Sequence, residues 1–318
     1  MEKETKKIQD ETVRDLVENP RTPVNIAVIN ADFEMRVDAQ AGSTETLLAH
    51  DMMRVSGGKA ANRAFIAKKM NLSSKLIGHV GDDDLAAQAL DPLSVVGVDI
   101  SDVQRAPNQK TAVSIIQVNP DGKKSITLAS NANDHWSEAG VTGIRHSMEL
   151  NFSNCNGTCV ISIDLEMDPL AIKTAITVAK ELKEKNPDRI LTGIEAEDEE
   201  TAAAATALCD RGVMLSCTKM SDGGCVAVQR EGEKKKRIHV EKMKIDAIDT
   251  TGAGDAFTGY LCVALQRGLE SSEAIFFFAV AASHCAVTKY ESQQSYPEGE
   301  EVEMMMRLRE NLHVTDLN

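Results

Sequence analysis

Short apolar runs and amphipathic stretches alternate along most of this chain. Val24-Asn25-Ile26-Ala27-Val28-Ile29 is the first run, Leu76-Ile77-Gly78-His79-Val80 the second, and Val160-Ile161-Ser162-Ile163 the third. The first reads as a strand buried on both sides, the third as a buried strand and the second as a further short strand. Each also runs into a polar turn: Asn30-Ala31-Asp32, Gly81-Asp82-Asp83 and Asp164-Leu165-Glu166. Between the runs, small or apolar residues recur at helical spacing. Ala61, Ala64, Phe65 and Ala67 do so after Ser56-Gly57-Gly58, and a further helix follows Asp83 and ends before Gly97. Ile172, Ile176, Ala179 and Leu182 form a third face, behind Asp168 as N-cap and Pro169 at the first helical position. This pattern predicts an α/β fold, a mostly parallel sheet with helices on both faces.

A second period breaks in. Phe33 to Ala39, Thr111 to Val118 and Ser125 to Ala129 alternate apolar with polar residues, the mark of strands with one wet face. Asn119-Pro120-Asp121-Gly122 turns the last two into a hairpin. These strands predict a small sheet beside the main body. Residues 1–22 are polar with sparse apolar positions and read as a tail. After Asn186-Pro187, Ile190 and Leu191 barely supply a strand before a new helix at Thr201 to Asp210, so the alternation stumbles there. Val213 to Thr218 and Cys225 to Gln229 read as extended, and Glu273 to Lys289 as a buried, nearly all-apolar helix.

The most informative stretch is Asp249-Thr250-Thr251-Gly252-Ala253-Gly254-Asp255-Ala256-Phe257. A small-residue turn at Gly252, Ala253 and Gly254 opens a helix whose apolar positions are Ala256, Phe257, Tyr260, Leu261, Ala264 and Leu265. Free N–H groups at such a helix start attract an anion. Asp255 stands beside that position. It either caps the helix or takes a proton from a hydroxyl attacking a phosphoryl group held by the turn. A dinucleotide fingerprint is excluded because Phe257 stands where its third glycine is needed. A Walker loop is excluded because Gly57-Gly58-Lys59 runs into Ala60.

With 35 Lys+Arg against 49 Asp+Glu the net charge is −14, which disfavours nucleic acid and acidic membrane surfaces as partners. Lys234-Lys235-Lys236-Arg237 is the one basic cluster and reads as a solvated hairpin tip. The seven cysteines form no Cys-x-x-Cys pair and look like buried thiols of a reducing compartment. The histidines show no metal spacing, and no apolar run reaches membrane-spanning length. A soluble, cytoplasmic protein is expected.

The motif from Asp249 to Phe257 resembles the C-terminal signature of the ribokinase-like (PfkB) carbohydrate kinases, D-T-x-G-A-G-D-x-F. Gly57-Gly58-Lys59-Ala60-Ala61-Asn62 is similar to that family's other signature. The resemblance implies a ribokinase-like three-layer fold over 23–318. It implies a β lid formed by about 31–55 and 106–130, which covers the sugar and in this family often pairs two subunits. It implies Asp255 as catalytic base and Gly252, Ala253 and Gly254 as an anion hole. The sugar contacts then fall on Asn30, Asp32, Gly58, Lys59, Asn62, Glu166 and Asp255, a pattern that points to ribose. Nucleotide contacts fall on Thr218, Ser221, Gly223 and Gly254. ATP and Mg2+ are the implied cofactors, with K+ at Asp249 and Thr251. Four departures lie away from the sugar. No Asn-x-x-Glu motif follows Gly193, with only Glu195 and Glu197 as stand-ins. Met220 and Val280 occupy positions where the family usually has glycine and often has asparagine. Glu291 replaces a glycine of the cation loop. A sugar-binding relative with weak catalysis is therefore the alternative expectation.

Overall fold

The computed structural model describes residues 24–26, 28–38, 46–155, 159–186, 190–195, 210, 215–220, 223–231, 234–242, 245–269, 272–290, 292–307 and 312–317. The tail expected over 1–22 and all but the last residue of the helix expected at Thr201 to Asp210 lie outside them. In chain order the strands are β1 Val24–Ile26, β2 Asn30–Val37, β3 Ala49–Gly57, β4 Lys75–Gly81, β5 Asp99–Ala106, β6 Ala112–Val118, β7 Lys124–Ala129, β8 Cys159–Asp164, β9 Ile190–Glu195, β10 Leu215–Lys219, β11 Cys225–Glu231, β12 Lys234–Val240 and β13 Leu312–Leu317. The helices are α1 Lys59–Lys69, α2 Leu85–Val95, α3 Glu138–Asn154, α4 Pro169–Lys185, α5 Ala253–Gln266, α6 Ser272–Ala286 and α7 Gly299–Arg307.

A five-stranded sheet, all parallel, runs β5-β4-β1-β8-β9. Its two-sided burial is visible in two neighbouring residues of β4. Leu76 packs with Ala61, Ala64 and Leu93 of α1 and α2, whereas Ile77 packs with Ile144 and Val178 of α3 and α4. Successive side chains of a strand point to opposite faces, so helices cover both. That is why these strands read as continuous apolar runs. The segment after Asn186 is a full strand, contrary to the expectation. Ile190 to Glu195 pair with Cys159 to Asp164 of β8 along their whole length. Backbone pairing to β8 supplied what Thr192 and Gly193 do not advertise.

The small sheet has the order β3-β2-β6-β7, with β2 and β6 parallel and the outer pairs antiparallel. Along β6, Ala112, Ser114, Ile116 and Val118 are buried while Ile115 is exposed, as period 2 requires. A third sheet, β10-β11-β12-β13, is antiparallel. The basic run Lys234 to Arg237 is not a hairpin tip. It is the first half of β12, paired with Val228 to Glu231. Helix α6 presses Phe276, Ala279 and Val280 against Ile238 and Val240 of this sheet.

Helix α5 meets α1 closely, and glycine permits it. A Cβ on Gly259 would stand 2.5 Å from Ile66 Cδ1. This approach sets the start of α1 beside the start of α5. Among the described residues, no helix is long and apolar enough to cross a membrane.

Candidate active site

The turn before α5 is built as the glycines suggest. Gly252 caps the helix in the left-handed region, φ +74°, where an L side chain is strained. Gly254 faces open space, with no atom within 4 Å of where a Cβ would sit. The amides of Gly252 and Gly254 have no backbone carbonyl partner among the described residues. The Ala253 amide differs from the expectation: it donates to the Thr250 carbonyl at 3.3 Å, closing the turn. Ala253 contributes to this turn by shaping it, and its neighbours hold the amides still free for an anion.

Asp255 does not cap its helix. Its Oδ2 instead accepts a hydrogen bond of 2.6 Å from Asn62 Nδ2. Asn62 is held there by the geometry of α1. Gly58 precedes that helix at φ +93°, and a Cβ on it would come within 2.4 Å of the Val28 carbonyl oxygen. The second glycine of the pair thus lets α1 begin against the end of β1. The first serves a different neighbour. A Cβ on Gly57 would overlap Asp32, 1.8 Å from its Oδ2.

Asn30, Asp32, Gly58, Lys59, Asn62, Glu166, Thr251, Gly252, Gly254 and Asp255 line one cavity of about 290 Å³. Residues separated by most of the chain are therefore neighbours in space. Lys59 is not a surface charge, since its Nζ lies 2.6 Å from Glu166 Oε1. Asn30 Nδ2 donates to Ser114 Oγ at 3.1 Å, and its Oδ1 accepts from Asn133 Nδ2 at 2.9 Å. Asp32 is almost fully buried, and its Oδ1 has no hydrogen-bond partner among the described residues. Burial pushes its pKa up to about 7, the charge of Asp255 adds to that rise, and the Ser114 hydroxyl and Lys124 oppose it. A buried carboxylate oxygen with nothing to accept from is suited to a hydroxyl-bearing ligand.

The roof of the cavity comes from the small sheet: Ser114 and Ile116 of β6 with Lys124, Ile126 and Leu128 of β7. Sequence reasoning passed over these residues, although the period-2 pattern already put alternate positions on one face. Asn133 was also missed. It sits in a 3-10 turn, Asn131–Asp134, and its signal was a cluster of asparagines between two predicted elements.

Of the expected nucleotide residues, Gly254 lines the cavity. Thr218 is in β10, Gly223 is in the turn to β11 at φ +99°, and Ser221 is outside the described residues. Thr218 and Gly223 do not line the cavity. Lys219 links the two regions, donating from Nζ to the Ala253 carbonyl at 2.7 Å and to Ser283 Oγ at 2.9 Å. Val280 is fully buried in the apolar cluster under this sheet. Asp249 Oδ1 accepts from the Thr251 amide at 2.8 Å, and Thr251 Oγ1 is buried without a hydrogen-bond partner among the described residues. These are hard oxygen donors, which suit a hard cation better than a thiolate-seeking metal. Among the described residues no three His, Cys, Asp or Glu side chains cluster as metal ligands, and Glu197 and Glu291 are outside them.

The model of the pfkB family of carbohydrate kinases matches residues 24–188 and 188–299. The chain belongs to this family. Its activity is that of an ATP-dependent carbohydrate kinase. It is similar to the ribokinase of Haemophilus influenzae, 30% identical over 308 residues that cover 88% of this chain and 97% of that one. It is also similar to a deoxyribokinase of Salmonella typhi, 27% identical over 319 residues, covering 90% and 100%. Among solved structures, that of Arabidopsis thaliana ribokinase complexed with ribose and ATP superposes with a TM-score of 0.67 at 23% identity, covering 91% of this chain and 99% of that one. This last likeness establishes the ribokinase-like fold.

Proposed function

We propose that this kinase phosphorylates the primary hydroxyl of ribose, converting D-ribose and ATP to ribose 5-phosphate and ADP. The observation that carries the reading is the position of Asp255. Its carboxylate opens onto a polar cavity at the very turn whose amides would hold the migrating phosphoryl group. Asp255 accepts the hydroxyl proton as the oxygen attacks. The Gly252 and Gly254 amides and the helix start stabilise charge on the transferring group. ATP supplies the group transferred, and magnesium would neutralise part of its charge. Thr218, Ser221 and Gly223 would hold the nucleotide, and Asp249 with Thr251 would hold a potassium ion, whose charge would favour an anion at the turn.

Asn30, Asp32, Lys59, Asn62 and Glu166 orient the sugar. Asp32 with its unpartnered oxygen favours a sugar that keeps a full set of ring hydroxyls, hence ribose over 2-deoxyribose. The β2-β3-β6-β7 sheet acts as the lid. Met52 and Ile115 leave exposed apolar side chains on it, which suits a homodimer formed through that sheet in the cytoplasm. A coupled assay of ADP release with ribose, 2-deoxyribose, fructose and adenosine tests the reading, with ribose expected to give the highest kcat/KM.

A second reading, a sugar-binding relative with weak turnover, draws on the buried Val280 and on Met220 at the nucleotide turn. Calorimetry separates the two. Ribose binding without ATP binding or turnover favours the second.

A further inference from the structure

A buried line of amide groups ends on Asp255, and its origin lies in a segment that no part of the reading above uses. Gln293, in the loop between α6 and α7, is 6% exposed. Its Nε2 donates to Asn62 Oδ1 at 3.0 Å and to Ser56 Oγ at 3.2 Å. Ser56 Oγ donates to the Ala89 carbonyl at 2.7 Å, and Asn62 Nδ2 donates to Asp255 Oδ2 at 2.6 Å.

The chemistry of the groups fixes the direction of this line. Asp255 as a carboxylate only accepts, so Asn62 must present its NH2 there. Asn62 Oδ1 then faces Gln293 and must receive a donor, which the Gln293 amide provides. Both Gln293 N–H groups are used, one on Asn62 and one on Ser56. A flipped Asn62 would set its carbonyl oxygen against the carboxylate and leave two NH2 groups facing each other. Gln293 therefore adds a second restraint, from the opposite side, on which end of Asn62 meets Asp255.

We infer that Gln293 is a positioning residue for this kinase: it locks the Asn62 amide so that Asp255 Oδ2 is tied down and the remaining carboxylate oxygen is aimed at the attacking hydroxyl. Through Ser56, the next-to-last residue of β3, the same amide anchors the small sheet to the base. The inference rests on the proposed role of Asp255 as proton acceptor.

The test uses Gln293→Met, which keeps length and bulk without the donor, and Gln293→Glu, which keeps the shape and sets an acceptor against Asn62 Oδ1. With the full chain, ribose and ATP, we expect kcat to fall ~10- to 100-fold in both, a loss of the size that misplacing a reacting group causes. The KM for ATP should stay within about twofold, since the side-chain hydrogen bonds of Gln293 go to Ser56 and Asn62. In the Asn62→Ala background, Gln293→Met should add no further loss of kcat, because its effect passes through Asn62. Losses that multiply, or a kcat retained in Gln293→Met, overturn the inference. Proton–nitrogen NMR of the ligand-free protein needs no turnover. The Asn62 side-chain amide should resonate far downfield in the wild type, and move back in Gln293→Met. An unmoved resonance overturns the positioning role even if both proteins are active. A wild type inert toward every pentose sinks the kinase reading instead, and leaves the NMR result to decide on Gln293.

Discussion

The Lys59 ammonium stands 2.6 Å from Glu166 Oε1, joining the first turn of α1 to the loop beyond β8 at the cavity that both residues line. The lysine is mostly covered and the glutamate is half-open, so the pair is neither a solvated surface bridge nor a sealed internal one. A ligand hydroxyl entering here finds both a donor and an acceptor already fixed in place. We expect Glu166→Ala to weaken sugar binding roughly 10-fold, about the value of one charge-assisted hydrogen bond, while ATP binding is unchanged. Calorimetric titration with ribose checks this, and equal loss for sugar and ATP would contradict it.

Asp255→Asn removes the proposed proton acceptor but keeps a side chain that fits the turn. The expected result is retained ribose affinity with kcat lowered ~10²–10⁴-fold. Single-turnover kinetics with saturating ATP measure it. Undiminished turnover means another group takes the proton.

Asp32 predicts a pH dependence whose sign follows from its raised pKa of about 7. An unfolded aspartate ionises near 3.8, so between that pH and 7 the folded protein holds the extra proton. Stability therefore falls as pH rises through this window, and the whole penalty, on the order of a few kcal/mol, is present above pH 7. Asp32→Asn should raise Tm relative to the wild type at pH 8 and lose that advantage by pH 4. The same proton should leave when a hydroxyl donates to the carboxylate. Ribose titrations near pH 6.5 in buffers of different ionisation enthalpy should then report proton release. A Tm difference that does not depend on pH would refute the assignment.

Gly57→Ala should act on one target. The new Cβ would coincide with the Asp32 carboxylate, while nothing in the backbone angle at residue 57 forbids alanine. Sugar affinity should drop at least 10-fold, with the parallel sheet intact by circular dichroism. Gly58→Ala should do worse, because its φ of +93° and the nearby Val28 carbonyl leave the backbone no alternative. Comparing the two melting curves separates a distorted ligand site from a distorted fold.

Gly259→Ala balances two terms. Alanine favours a helix by ~1 kcal/mol over glycine, but the added methyl meets Ile66 Cδ1 at 2.5 Å and Cγ2 at 3.3 Å, and overpacking typically costs ~1–3 kcal/mol. Net destabilisation is expected, with a loss of kcat as α1 is pushed from α5 and the Asn62 to Asp255 bond lengthens. Urea denaturation and the coupled assay check the two halves.

Much of this site was legible in the sequence because its parts are local. The turn at Gly252 to Gly254, the pair Gly57-Gly58 and the polar strand ends at Asn30 and Asp32 each follow from chain-local rules of backbone and helix start. What escaped is what only folding brings together. Gln293 has no motif of its own around it, and Ser114 was one serine in an alternating strand. The strand at Ile190 to Glu195 was doubted because its residues do not look like a buried strand, yet pairing with β8 defines it. Lys234 to Arg237 misled in the opposite direction. Charge suggested an exposed tip, while the neighbours Val228 and Gln229 hold the run in a ladder.

The turn of the β6–β7 hairpin is clasped by the segment that leads into α5. Thr250 gives both its amide and its hydroxyl to the Gly122 carbonyl, at 3.2 and 3.0 Å, and a side chain on Gly122 would press on the Ile248 carbonyl. In the proposed lid role of this sheet, opening to admit a guest would stretch that clasp. Entry of one substrate would then be geared mechanically to readiness of the cradle for the other, two residues upstream of Gly252.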